Sequence, residues 1–213
     1  MIAKTPSAAR ARSPVRRLLR GVLQRGFSRV DRLRYASLHI RAGDPLARGF
    51  AEFGDRSVIA SPRVALVNPG AVAIGAGVEV RSHACIEALA APGKVVLRVG
   101  DDVTVGHNVR LVAMNGIEIE PECGIGHGST IADTMHEWTE IFEGTPPAQT
   151  PLRSGDRLLI ERGAWIGNNC VIVGGITIGT RAIIAPNSVV TRDVPPKTMV
   201  SGNPARRVPY PDR

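Results

Sequence analysis

The chain has 213 residues, 43% of them hydrophobic, enough for one ordinary domain with an appendage and a core that closes without disulfides. Aromatic residues make up 4% against 23 glycines and 16 prolines, which excludes a large aromatic-packed core and favours a thin, turn-rich architecture. The net charge of +8 is concentrated in residues 1–34, where Lys4 and nine arginines face one acid, Asp31; the mildly acidic remainder argues against nucleic-acid binding.

No apolar run approaches the roughly 18 residues needed to cross a bilayer, so neither a spanning nor a secreted protein is expected. Cys85, Cys123 and Cys170 are odd in number and lack C-x-x-C spacing. That pattern indicates neither a disulfide framework nor a zinc knuckle, and the expected compartment is the reducing cytoplasm.

Residues 1–48 are predicted to form a basic, partly helical arm. Val15, Leu18, Leu19, Val22, Val30 and Leu33 recur at helical spacing with arginines between them. Such a stripe can lie on an anionic lipid surface at the inner face of the membrane, or pack on the main domain with its arginines solvated.

From residue 49 the signal changes. Aliphatic residues recur at every sixth position: Val99, Val105, Leu111 and Ile117, then Ile119, Ile125 and Ile131 after a slip of two, then Ile160, Ile166, Ile172, Ile178, Ile184 and Val190. Ile74, Val80 and Ile86 form an earlier, noisier register. No amphipathic helix or alternating strand has period six. The pattern predicts an all-β parallel solenoid over 49–208, with three hexapeptides per turn and aliphatic ladders stacked as the core. The small fifth position holds Cys123 and Cys170, whose expected role is packing.

The period breaks between Ile131 and Ile160, which predicts an inserted loop over 132–159. Long insertions in compact domains are usually functional. His136 opens this loop three residues after Asp133, whose carboxylate, or a backbone carbonyl, could orient the ring. An imidazole titrates near about 6.5 and suits a general base at neutral pH. Glu137 and Glu140 are alternative orienters.

The stretch from Ile160 to Val208, including W-I-G-N-N-C, S-V-V-T-R-D-V-P-P and S-G-N-P-A, resembles the C-terminal half of the galactoside, maltose and polysaccharide O-acetyltransferase branch of the hexapeptide-repeat acyltransferases. The Asp133-x-x-His136 pattern sits where that branch carries its base. The resemblance implies a left-handed β-helix, an acyl-CoA co-substrate carrying an acetyl or succinyl group, direct transfer to a sugar hydroxyl in a ternary complex, and a homotrimer with shared sites. By position, His136 resembles the base and Asn108 the asparagine that helps to place the acceptor. Trp165, Asn168, Ala185, Thr191, Arg192 and Arg206 match positions lining the CoA groove. Pro186 and Arg192 depart from the branch, which has a backbone donor and a lysine there.

Arg110, Arg153 and Trp138 are candidate acceptor or donor contacts, and Arg157 joins the two arginines as a possible carboxylate receptor for a succinyl donor. No resident cofactor and no metal are expected. The same solenoid carries gamma-class carbonic anhydrases, but the spacing of His83, His107, His127 and His136 does not match their zinc ligands. A non-catalytic scaffold in envelope-polysaccharide assembly is the competing reading. Residues 209–213 form a tail.

Overall fold

The computed structural model describes residues 38–209, so the helical stripe and membrane contact expected of residues 1–34, and the last four residues of the tail, lie outside the described residues. The described chain is a parallel β-solenoid whose turns each pass through three faces. In a representative turn Leu97–Val99 lies on the first face, Thr104–Val105 on the second and Arg110–Ala113 on the third. The three sheets have six, nine and six strands. Two antiparallel strands, Ile40–Arg41 and Arg206–Val208, close the ends of the second sheet.

The sixfold ladders form as expected. Ile74, Val99, Ile119, Ile160 and Ile178 stack inside the first face; Val80, Val105, Ile125, Ile166 and Ile184 inside the second; Ile86, Leu111, Ile131, Ile172 and Val190 inside the third, all buried. One turn has too little apolar surface to fold alone, so each rung is stable only between its neighbours. The small fifth positions tuck under the corners, where Cys123, Ser129, Cys170 and Ser188 are buried. Burial pushes the thiols of Cys85, Cys123 and Cys170 above their ordinary pKa, which suits packing and not nucleophilic chemistry.

Turns meet closely at the second-to-third corner through a column of glycines. A Cβ on Gly126 would stand 2.5 Å from the Gly167 carbonyl carbon, and one on Gly167 would stand 2.6 Å from the Pro186 nitrogen. Backbone cannot yield to such contacts.

One boundary differs from expectation. The compact unit begins at Leu38, not after residue 48. Ile40 is buried and pairs with Ile59, and the short helix Pro45–Gly49 buries Ala47, so these residues cap the solenoid. The slip between Ile117 and Ile119 is also explained: both point inward from one strand, with Glu118 outward, and the extra residues sit at the preceding corner.

Candidate active site

The chain between Ile131 and Ile160 leaves the solenoid at the third-to-first corner, after Ala132, and returns at Leu158. Inside it, Thr134–His136 and Leu152–Ser154 form an antiparallel hairpin, with a short helix Trp138–Phe142 and a single turn Pro147–Gln149 beyond. A knot holds its root. Asp133, 1% exposed, accepts backbone N–H bonds from Met114 (2.8 Å), Asn115 (2.8 Å) and Gly116 (2.6 Å) of the turn below. Asn115 Nδ2 donates to the Gly155 carbonyl at 2.8 Å, and Gly155 N donates back to the Asp133 carbonyl at 3.1 Å.

Of the two orienters that the D-x-x-H spacing allowed, the Asp133 carboxylate does not orient His136, and a backbone carbonyl does. The carboxylate is committed to three backbone donors. The imidazole Nδ1 instead lies 3.3 Å from both the carbonyl oxygen and the hydroxyl of Thr150, a residue that the sequence pattern did not single out. Glu137 is committed too. It caps the short helix by accepting from the Thr139 hydroxyl at 2.8 Å and N–H at 3.2 Å, while its other oxygen meets Arg153 Nε at 2.7 Å. Those Thr139 bonds, with Arg153 adding, hold its carboxyl below the ordinary range.

The three arginines considered for a carboxylate-bearing donor are likewise paired. Arg110 meets Glu87 at 3.4 Å, Arg153 meets Glu137 and Arg157 meets Glu118 at 2.6 Å. A guanidinium already paired with a neighbour is a weaker receptor for a second carboxylate than a free one.

Of the remaining candidates, Asn108, Asn168, Ala185, Thr191 and Arg192 border the third face, and the others lie elsewhere. Asn108 occupies its second-to-third corner with φ of 59°, the left-handed conformation that a turn asparagine tolerates. Asn168 stands two turns on at the same corner, where its Oδ1 accepts the His127 N–H at 2.9 Å. Ala185, 7% exposed, follows it and offers backbone more than side chain. Thr191 and Arg192 leave the third face at the opposite corner, just past Val189–Val190. Between the corners, Arg110, Thr130, Val171 and Val189 align in register, as do Val112, Ala132 and Val173. Alternation with the inward ladder turns both rows outward. Trp165, half-exposed, stands on the second face with its ring against Gly124. Arg206 lies on the closing strand and Trp138 is exposed on the short helix.

Spacing did not disclose the second-to-third corner chain. Ser82 Oγ is 2.9 Å from His107 Nδ1, the His107 N–H donates to His127 Nδ1 at 2.8 Å, and the two rings stack with centroids 5.2 Å apart. Among the described residues no three His, Cys, Asp or Glu side chains converge as metal ligands.

Comparison with known proteins places this framework. The model "Bacterial transferase hexapeptide (six repeats)" matches residues 159–192. A dTDP-3-amino-3,6-dideoxy-α-D-galactopyranose 3-N-acetyltransferase of Aneurinibacillus thermoaerophilus is 50% identical over 50 residues, covering 24% of this chain and 26% of that enzyme. The chain spans less than half the length of the curated relatives it matches. Among solved structures, a hexapeptide-repeat acetyltransferase of Vibrio cholerae complexed with acetyl-CoA superposes with a TM-score of 0.53 at 28% identity, covering 76% of this chain and 72% of that one. AntD, an N-acyltransferase from Bacillus cereus complexed with dTDP and 3-hydroxybutyryl-CoA, gives a TM-score of 0.65 at 18% identity, covering 76% and 84%. The three-faced solenoid is the left-handed β-helix of these acyltransferases. With its sixfold ladders, its ejected loop and this repeat signature over residues 159–192, the chain is similar to the hexapeptide-repeat acetyltransferases.

Proposed function

We propose that the chain is an acyl-CoA-dependent acyltransferase that moves an acetyl group to a hydroxyl of a sugar, in a polysaccharide or glycolipid, with His136 as general base. The observation that carries this reading is the imidazole itself. It stands exposed on the hairpin with Nδ1 held by Thr150, which leaves Nε2 free for an acceptor. Nε2 takes the proton as the acceptor oxygen attacks the thioester carbonyl. The tetrahedral oxyanion then collapses, the C–S bond breaks, and the departing CoA thiolate receives the proton from the imidazolium. The tetrahedral oxyanion requires hydrogen-bond donors while it lasts, and losing one such donor costs about 10²-fold or more.

The donor's path is supported by surface chemistry. The outward rows of Thr130, Ala132, Val171, Val173 and Val189 suit the pantetheine arm, and Arg192, Arg206 and Arg207 at the C-terminal end make no ion pair among the described residues and suit its phosphates. The buried thiols of raised pKa favour direct transfer over an acyl-cysteine. The amino-sugar relatives support a sugar acceptor and motivate an amine as the competing nucleophile. A homotrimer is part of the proposal: Trp138 and Phe142, 61% and 87% exposed on a helix that buries nothing, fit coverage by a neighbouring copy. The three free thiols support a cytoplasmic site of action, and the +9 of residues 1–34 supports recruitment to an anionic membrane surface.

The test is CoA-thiol release from acetyl-CoA and succinyl-CoA against parallel panels of sugars, glucan oligosaccharides and amino sugars, wild type beside His136→Asn. Release that requires both a hydroxyl acceptor and His136 supports the proposal. Release with amino sugars alone replaces O-acylation by N-acylation. Silence with every pair, together with no CoA binding by calorimetry, would transfer the assignment to a non-catalytic scaffold.

A further inference from the structure

The imidazole of His136 is oriented without a carboxylate. Both acids flanking it are committed elsewhere: Asp133 to the backbone of residues 114–116, Glu137 to Thr139 and Arg153. What remains is Thr150, 6% exposed. Its carbonyl oxygen, 3.3 Å from Nδ1, can only accept. Its hydroxyl, also 3.3 Å from Nδ1, has a single proton, and that proton is given to the Pro147 carbonyl at 2.8 Å. The hydroxyl therefore turns a lone pair toward the ring. Both contacts demand a proton on Nδ1, and a neutral imidazole protonated there has its lone pair on Nε2.

The direction of the chain matters. A hydroxyl free to rotate would donate to Nδ1 as readily as accept from it, and would then stabilise the opposite tautomer. The turn Pro147–Gln149 removes that choice by presenting a carbonyl to Thr150. The β-branched side chain, stiff about χ1, keeps the hydroxyl in place.

We infer that Thr150, its hydroxyl polarised by the Pro147 carbonyl, is a positioning residue that fixes the tautomer of His136 through neutral dipoles alone. This rests on the reading of His136 as the base. The experiment uses uniformly 15N-labelled full-length protein, with two-bond proton–nitrogen correlation of the imidazoles and His136 assigned by its loss in His136→Asn. Wild type should show a pyrrole-type Nδ1 and a pyridine-type Nε2. Thr150→Val, which keeps shape and carbonyl but removes the hydroxyl, should give a mixture of tautomers and lower kcat by about 10-fold with KM unchanged, the scale typical of groups that orient a histidine from behind. Thr150→Ser should restore both.

A proton on Nε2 in the wild type overturns the inference without any variant. So does Thr150→Val with an unchanged tautomer and unchanged kcat. If the tautomer responds to Thr150 as expected while His136→Asn transfers acyl groups at the wild-type rate, the base assignment falls and the role of Thr150 toward the ring stands.

Discussion

His136→Asn keeps a planar polar group of similar reach and removes only the ability to take a proton. Acyl transfer should fall by about 10²- to 10⁴-fold, the usual contribution of a general base, while urea unfolding stays unchanged because the side chain is exposed. Asp133→Asn should behave in the opposite way. An amide in that carboxylate's place presents N–H to N–H at one or more of the three backbone donors, with an expected loss of about 3 kcal/mol by denaturant unfolding, since charge-assisted bonds and an orphaned buried donor both enter. Three residues apart in sequence, the two positions should separate activity from stability. His136 was legible because a histidine opening a long insertion stands out. The task of Asp133 was not, because its partners lie 17 to 19 residues earlier and are backbone amides, which carry no residue-type signature. The pairing of Arg110, Arg153 and Arg157 was hidden for the same reason: a guanidinium shows in sequence, the carboxylate it meets shows only in register.

At the scale of the elements, stacking decides what a position tolerates. Ile166 is fully buried between Ile125 and Ile184, so Ile166→Ala should cost about 2–5 kcal/mol. Gly167→Ala, one residue on, should be comparably harmful for another reason, since its Cβ would meet the Pro186 backbone at 2.6 Å. Gly49→Ala is the control: the nearest atom to its Cβ is Pro69 Cγ at 3.9 Å, and unfolding should move by less than about 1 kcal/mol, in the stabilising direction. Circular-dichroism unfolding of the three variants checks the set. The ladders were legible because period six belongs to no helix and no flat sheet. The loop's interior was not, because hairpin, helix and turn there are short, mixed in composition and held by contacts and not by periodicity.

For the whole molecule, the loop's uncovered Trp138 and Phe142 make assembly testable. Under the proposed trimer, the double variant Trp138→Ser, Phe142→Ser should run as a monomer by light scattering and lose transfer, while each monomer keeps its solenoid spectrum. A wild type that is monomeric at micromolar concentration would contradict the shared-site arrangement. The overall architecture was legible from Ile74 onward and less so before it, because the first turns carry shorter aliphatic runs and an end cap whose burial depends on pairing with Val58–Ile59.

From Ile74 on, the inward residues keep strict six-residue spacing across two of the three corners, and every departure falls at the third: Ile86 to Val99, Leu111 to Ile119, Ile131 to Ile160 and Val190 to Val194. Length can change at that corner without shifting any rung of the core. The segment between Asp133 and Arg157 is therefore an exchangeable cassette. A lineage, or an experimenter, can rewrite its length and sequence while the stabilising framework is inherited intact.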